Sequence, residues 1–222
     1  ELHSLWDYND PAGTAVRFQA LLPEVEASNN RAYHVELLSQ LARTHSLRRQ
    51  FAEAHELLDQ AEVLLDYEMV VPKMRCLLER GRCFNSAGEP EQALPLFREA
   101  FGLGTAVGTQ ADYHTIDAAH MMAIAEPLPV NQLQWNEAAL TLAEASPDAR
   151  AGGWRGSLYN NIGWTYHDMG DYNKALEIFT RALAWREAQH PDQRETIRIA
   201  MWCVARTLRS LHRLDDALAL QQ

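Results

Sequence analysis

Tyr159-Asn-Asn-Ile-Gly163-Trp-Thr-Tyr166, followed by Gly170-Asp-Tyr172-Asn-Lys-Ala175 and then by Phe179 and Ala182, is the stretch on which the reading of this chain turns. Large and small apolar residues recur at intervals of three and four on both sides of Gly170-Asp171, which predicts a helix, a tight turn and a second helix. The same frame returns three more times. The interval from the small residue of the first helix to the Ala of the second is twelve from Ala42 to Ala54, Gly81 to Ala93, Gly163 to Ala175 and Ala205 to Ala217. A large residue stands four before each small one (Leu38, Leu77, Tyr159, Met201) and another three after it (His45, Phe84, Tyr166, Leu208). Further along the second helix come Leu58, Phe97 and Phe179, then Ala61, Ala100 and Ala182. Small side chains let antiparallel helices approach, and their large neighbours fill the grooves alongside.

This pattern resembles the tetratricopeptide repeat, whose frame is an aromatic or Leu, a small residue, an aromatic, then Ala, an aromatic or Leu, and Ala. The resemblance covers residues 31 to 222 and is strongest over 156 to 189. It implies an all-α, right-handed α-α superhelix, a solenoid of about five helix-turn-helix units behind an N-terminal capping helix. Successive small residues lie 39 apart from Ala42 to Gly81 and 42 apart from Gly163 to Ala205, longer than the roughly 34 of the standard repeat. In that length the chain is similar to the repeats of kinesin light chains and of bacterial peptide-sensing regulators.

The boundaries follow from local signals. Asp10-Pro11 reads as an N-cap and first helical position, opening a capping helix that reaches about Ser28 and buries Phe18, Leu21, Leu22 and Val25. Repeats are expected at 31–68, 70–104, 110–146, 154–190 and 192–222. The 110–146 unit is degenerate: Ala138, Leu142 and Ala145 reproduce the second-helix pattern, but they follow Ala119 by nineteen residues because Glu126-Pro-Leu-Pro-Val130 lengthens the turn. Gly102 to Gly108 and Ser146 to Gly153 separate units without being long or polar enough to link domains, so one domain, 1–222, is expected. The last unit stops about nine residues into its second helix, which predicts a continuation or a covering molecule.

Composition narrows the function. The 222 residues are 47% hydrophobic and carry a formal charge of −10, enough to bury a core and the wrong sign for nonspecific binding to nucleic acid or anionic membrane. Three cysteines, Cys76, Cys83 and Cys203, match no zinc or redox spacing and point to a reducing, cytoplasmic setting. No segment has the roughly 20 apolar residues of a membrane span.

The resemblance places first helices on a concave face, where the residue after each small one would enter a groove. Those residues are Arg43, Arg82, His120, Trp164 and Arg206; one turn later come Asn85, His167 and Arg209, and one turn earlier Ser39, Leu78, Ile116, Asn160 and Trp202. The second helices instead carry acids, such as Glu53, Glu56, Asp59 and Glu62. A cationic and aromatic column inside an acidic protein predicts a groove for a peptide with acidic groups or a free C-terminus. Arg43, Arg82, Arg206 and Arg209 would fork onto carboxylates, Asn85, Asn160 and Asn161 would bond backbone amides, and Trp164 and Trp202 would anchor apolar side chains. The lysines of the carboxylate-clamp subgroup are absent. Against this stands a plainer assignment, in which each Arg pairs with a neighbouring acid, Arg82 with Glu79 for example, and each Trp fills a gap between helices.

Catalysis finds no support in the sequence. His114, Asp117 and His120 share one side of a helix, but no fourth ligand or second-shell motif accompanies them. No phosphate loop, nucleophile elbow or His-Glu-x-x-His pair occurs. The expectation is therefore a non-enzymatic scaffold that binds a protein or peptide, without metal or cofactor. The alternatives are the sensor portion of a ligand-responsive regulator and, further off, a metal-dependent enzyme on the 110–125 helix.

Overall fold

The computed structural model describes residues 2–220. It is all-α, with no strand among the described residues, and consists of two compact units, Glu1–Ala125 and Glu126–Gln222. The break falls at the lengthened turn, so the 110–146 stretch gives one helix to each unit.

In unit 1 a 3₁₀ turn (Leu2–Leu5) precedes α1 (Pro11–Gln19) and α2 (Leu22–Ala27), which lie against α3 (Arg31–Leu47). Two hairpins follow, α3 with α4 (Phe51–Leu64) and α5 (Val70–Ala87) with α6 (Pro90–Val107); α7 (Asp112–Ala125) then packs on α6. In unit 2, α8 (Pro129–Ala145) leads through the single turn α9 (Ala149–Gly152) to the hairpin α10 (Arg155–Asp168) and α11 (Tyr172–Gln189). The helix α12 (Arg194–Ser210) follows, with α13 (Leu214–Ala219). The expected last unit extends to Gln222, and its final two residues lie outside the described ones.

The expected cap is corrected at one point. Asp10 does accept from the Gly13 N–H at 2.9 Å with Pro11 in the first turn, but the helix breaks at Ala20-Leu21 instead of running to Ser28. Pro23 has no N–H to give the Gln19 carbonyl, and its ring crowds that carbonyl, so the chain restarts as α2. Phe18 and Val25 are buried as anticipated, together with Leu2, Leu37 and Leu41.

All eight residues of the twelve-residue frame are buried: Ala42, Ala54, Gly81, Ala93, Gly163, Ala175, Ala205 and Ala217. The reason is visible at Gly163, where an added β-carbon would stand 2.5 Å from the Phe179 ring; at Gly81 it would strike Phe97. In both hairpins the aromatic of the second helix lies flat on the missing side chain of the first, so the small residue and the large one are halves of one contact.

The turns repeat too. Seven residues after each small residue the backbone takes positive φ, at Arg49 (61°), Gly88 (89°), Gly170 (83°) and His212 (59°). The following N–H closes onto the carbonyl of the large residue three after the small one: Gln50 to His45 at 3.0 Å, and Glu89 to Phe84, Asp171 to Tyr166 and Arg213 to Leu208, each at 2.9 Å. This is the Schellman bond, which satisfies a helix-end carbonyl and reverses the chain at a fixed angle. No helix among the described residues is long and apolar enough to cross a membrane.

Candidate peptide-binding faces

The residue after each small one has a different fate in the two units. In unit 1, Arg43 on α3 and Arg82 on α5 are held by carboxylates of the same chain. Arg43 Nη1 lies 3.1 Å from Glu79 Oε2, Arg82 Nη1 lies 2.7 Å from Glu79 Oε1, and Arg82 Nη2 donates to both Asp117 oxygens at 2.5 and 2.6 Å. The result is a polar chain, Arg43–Glu79–Arg82–Asp117, that stitches α3, α5 and α7 together. Glu79 and Asp117 are 5% and 6% exposed. Burial opposes the Arg82 charge, but the Asp117 and Glu79 carboxylates outweigh it and push its pKa up. Arg43 also stands over the Tyr8 ring, 5.8 Å from its centroid, and Trp6 beside it donates from Nε1 to Gln40 Oε1 at 2.9 Å. Arg82 and Arg43 thus follow the plainer assignment. Their carboxylates are internal, and Asp117 in the service of Arg82 is withdrawn from the His114–Asp117–His120 set.

Asn85 and His120 stand half-buried on α5 and α7. Ser39, Leu78 and Ile116, expected one turn earlier on the lining, are fully buried in the core instead, because helix neighbours on both sides close over that position.

Unit 2 is built otherwise. Trp202 on α12 is 48% exposed, with its ring 5.8 Å from that of Trp164 on α10. Trp164 is half-buried and packs on Phe179 at 5.2 Å, so it fills the α10/α11 contact and also floors the surface on which Trp202 lies. His167 stands 5.2 Å from Trp164 and 5.0 Å from Tyr172, and its Nε2 is 3.0 Å from Ser210 Oγ on α12. Arg206 Nη1 donates to the same Ser210 oxygen at 3.1 Å. No carboxylate engages Arg206 or Arg209 among the described residues, and Arg209 is exposed. Asn160 accepts weakly from Cys203 Sγ at 3.9 Å, and Asn161 is half-buried on α10. The structure thus brings together Asn160, Trp164, His167, Trp202 and Arg206, with Ser210, which the sequence frame did not single out. The helix spacing of Arg206 and Ser210, four residues, is the signal that would have found it.

Electrostatics of the second helices agree with the sequence. Glu53, Glu56, Asp59 and Glu62 are exposed on α4, although Asp59 and Glu62 also hold Arg80 of α5 at 2.7 and 3.1 Å. Arg75 pairs with Glu36 in the same way between α5 and α3. Cys76, Cys83 and Cys203 are buried and unbridged, and burial pushes all three thiols up, Cys76 to about 12.

Three family models for the tetratricopeptide repeat match the chain, at residues 35–61, 74–151 and 156–189, together more than half of it. The chain belongs to the tetratricopeptide-repeat superfamily. No curated protein matches its sequence. Among solved structures, BtubC (BKLC) from P. vanneervenii is similar with a TM-score of 0.76 at 16% identity, over 97% of this chain and 88% of that one. The nearly identical TPR-like repeats assigned to a Podosopora anserina kinesin light chain give 0.67 at 16% identity, over 87% and 93%. The apo form of RapI gives 0.63 at 12% identity, over 95% and 89%. At these identities the likeness is one of fold. Tetratricopeptide repeats are protein–protein interaction modules.

Proposed function

We propose that this tetratricopeptide-repeat protein is a non-enzymatic adaptor whose α10/α12 face in unit 2 receives a peptide segment bearing acidic groups or a free C-terminus. One contrast carries the reading: equivalent arginines are neutralised by internal acids in unit 1, whereas Arg206 and Arg209 lack a carboxylate and stand beside a half-exposed tryptophan. A guanidinium with no internal counter-charge is available to a partner's carboxylate, and a tryptophan left half in water gains by being covered. Asn160 on α10 would meet the peptide backbone in this reading. The reading narrows the expected column, since Arg43 and Arg82 serve the fold. Three reduced, buried thiols support a reducing compartment, the cytoplasm.

Charge reversal tests this. Arg206→Glu with Arg209→Glu should weaken binding of a labelled acidic peptide mixture at least tenfold in fluorescence anisotropy while the circular dichroism spectrum is unchanged. Wild-type affinity should fall as salt rises. Retained binding in the double variant rejects the α10/α12 face.

A further inference from the structure

The groups around Ser210 exceed what one carboxylate needs. We infer that they form a phosphate-recognition site, which takes the phosphorylated side chain of a peptide lying across Trp202. This rests on the peptide-binding reading of the same face and specifies the ligand's chemistry.

The comparison lies inside the molecule. In unit 1 a single carboxylate, Asp117, is satisfied by one guanidinium nitrogen of Arg82, at 2.5 and 2.6 Å. In unit 2 the polar groups converge on a hydroxyl instead of a carboxylate. Arg206 Nη1 and His167 Nε2 meet at the Ser210 hydroxyl, 3.1 and 3.0 Å away. Arg209 lies one helical turn from Arg206 on the same side of α12. Asp168 has its Oδ1 3.7 Å from His167 Nδ1, the ring nitrogen not directed at Ser210, and its side chain is 80% exposed. Arg206, the imidazole and the hydroxyl therefore meet at a point that no carboxylate occupies among the described residues, with Arg209 exposed on the next turn. A phosphoryl group brings three acceptor oxygens and a charge near −2, and guanidiniums recognise it through forked hydrogen bonds.

The site is also held in place. The His167 ring is fixed between Trp164 and Tyr172, and Ser210 is tied to its own helix through the Arg206 side chain. Trp202, one turn before Arg206, supplies an apolar platform next to the charged cluster. A peptide can engage both at once, whereas a free anion engages only the cluster. This is why the occupant is a phosphorylated peptide and not a small phosphate.

The test uses the full chain and three matched peptide mixtures with randomised flanks, carrying phosphoserine, glutamate or serine at the central position, with inorganic phosphate as competitor. The phosphoserine mixture should bind at least tenfold more tightly than the glutamate one. Ser210→Asp, which writes a counter-charge into the chain as Asp117 does for Arg82, should erase that preference with the fold intact by circular dichroism. Arg209→Gln, at an exposed position that cannot disturb packing, should reduce it severalfold. Equal binding of phosphoserine and glutamate would overturn the phosphate inference and leave the acidic-peptide reading standing. Binding by none of the mixtures would overturn both. Inorganic phosphate that binds as tightly as the phosphopeptides would reassign the site to a free anion and overturn the peptide as its source.

Discussion

At the scale of single residues the molecule separates arginines paired with internal carboxylates from arginines that no carboxylate engages among the described residues. Arg82 sits with Glu79 and Asp117, both nearly buried, and removing one member of such a group strands the others out of water. Arg82→Ala should destabilise the protein by about 3 kcal/mol or more, read from the urea midpoint, because breaking a buried pair costs about 3 to 5 kcal/mol. Arg209→Ala, on an exposed position, should move it by less than about 0.5 kcal/mol. Two half-buried histidines give a pH dependence. Burial lowers His45, with Arg48 adding to it, and lowers His55, with Arg80 adding to it. Their folded pKa values lie below the ordinary 6.5, so the fold prefers the neutral rings. Their contribution is complete above about pH 6.5 and is lost as pH falls through that value toward the folded one. The urea midpoint should therefore drop between pH 7 and pH 5.5, and His45→Phe, which restores an aromatic to the repeat position, should remove part of the drop. The Glu79–Arg82 pair was legible at a spacing of three. Asp117, 35 residues from Arg82, was not, because helix periodicity says nothing about which side chains meet across helices.

At the scale of the helical hairpin, one geometry is written with different residues. The reversal seven positions after each small residue needs a left-handed backbone, which Gly88 and Gly170 adopt freely and Arg49 and His212 adopt at a steric cost. Arg49→Gly and His212→Gly should each raise stability by about 0.5 to 1 kcal/mol in urea denaturation, since a side chain in this conformation costs about 1 to 2 kcal/mol. The opposite is expected where glycine makes room for an aromatic. Gly163→Ala should cost about 1 to 3 kcal/mol in the same assay by forcing its methyl into Phe179. Both features trace to the twelve-residue frame, which is why the hairpins were predictable from sequence. The break in the N-terminal cap turns on Pro23, whose missing N–H interrupts the helix while the apolar spacing runs on through it.

For the molecule as a whole, the proposed binding face and the buried arginine–carboxylate chain fall on different units. Reversal of Arg82 should unfold or weaken unit 1, whereas reversal of Arg206 and Arg209 should abolish peptide binding and leave the denaturation midpoint in place. Measuring both properties on both variants checks the division. The sequence by itself determined the helical class, the repeat frame, the turn positions and the membership of the superfamily. These depend on contacts between residues fewer than about twenty apart, whose spacing the chain carries directly. Only the tertiary structure decided which arginines meet acids of other helices. Arg43 and Arg82 are neutralised by acids brought from helices 36 and 35 residues away, and there side-chain reach and burial, not periodicity, set the pairing.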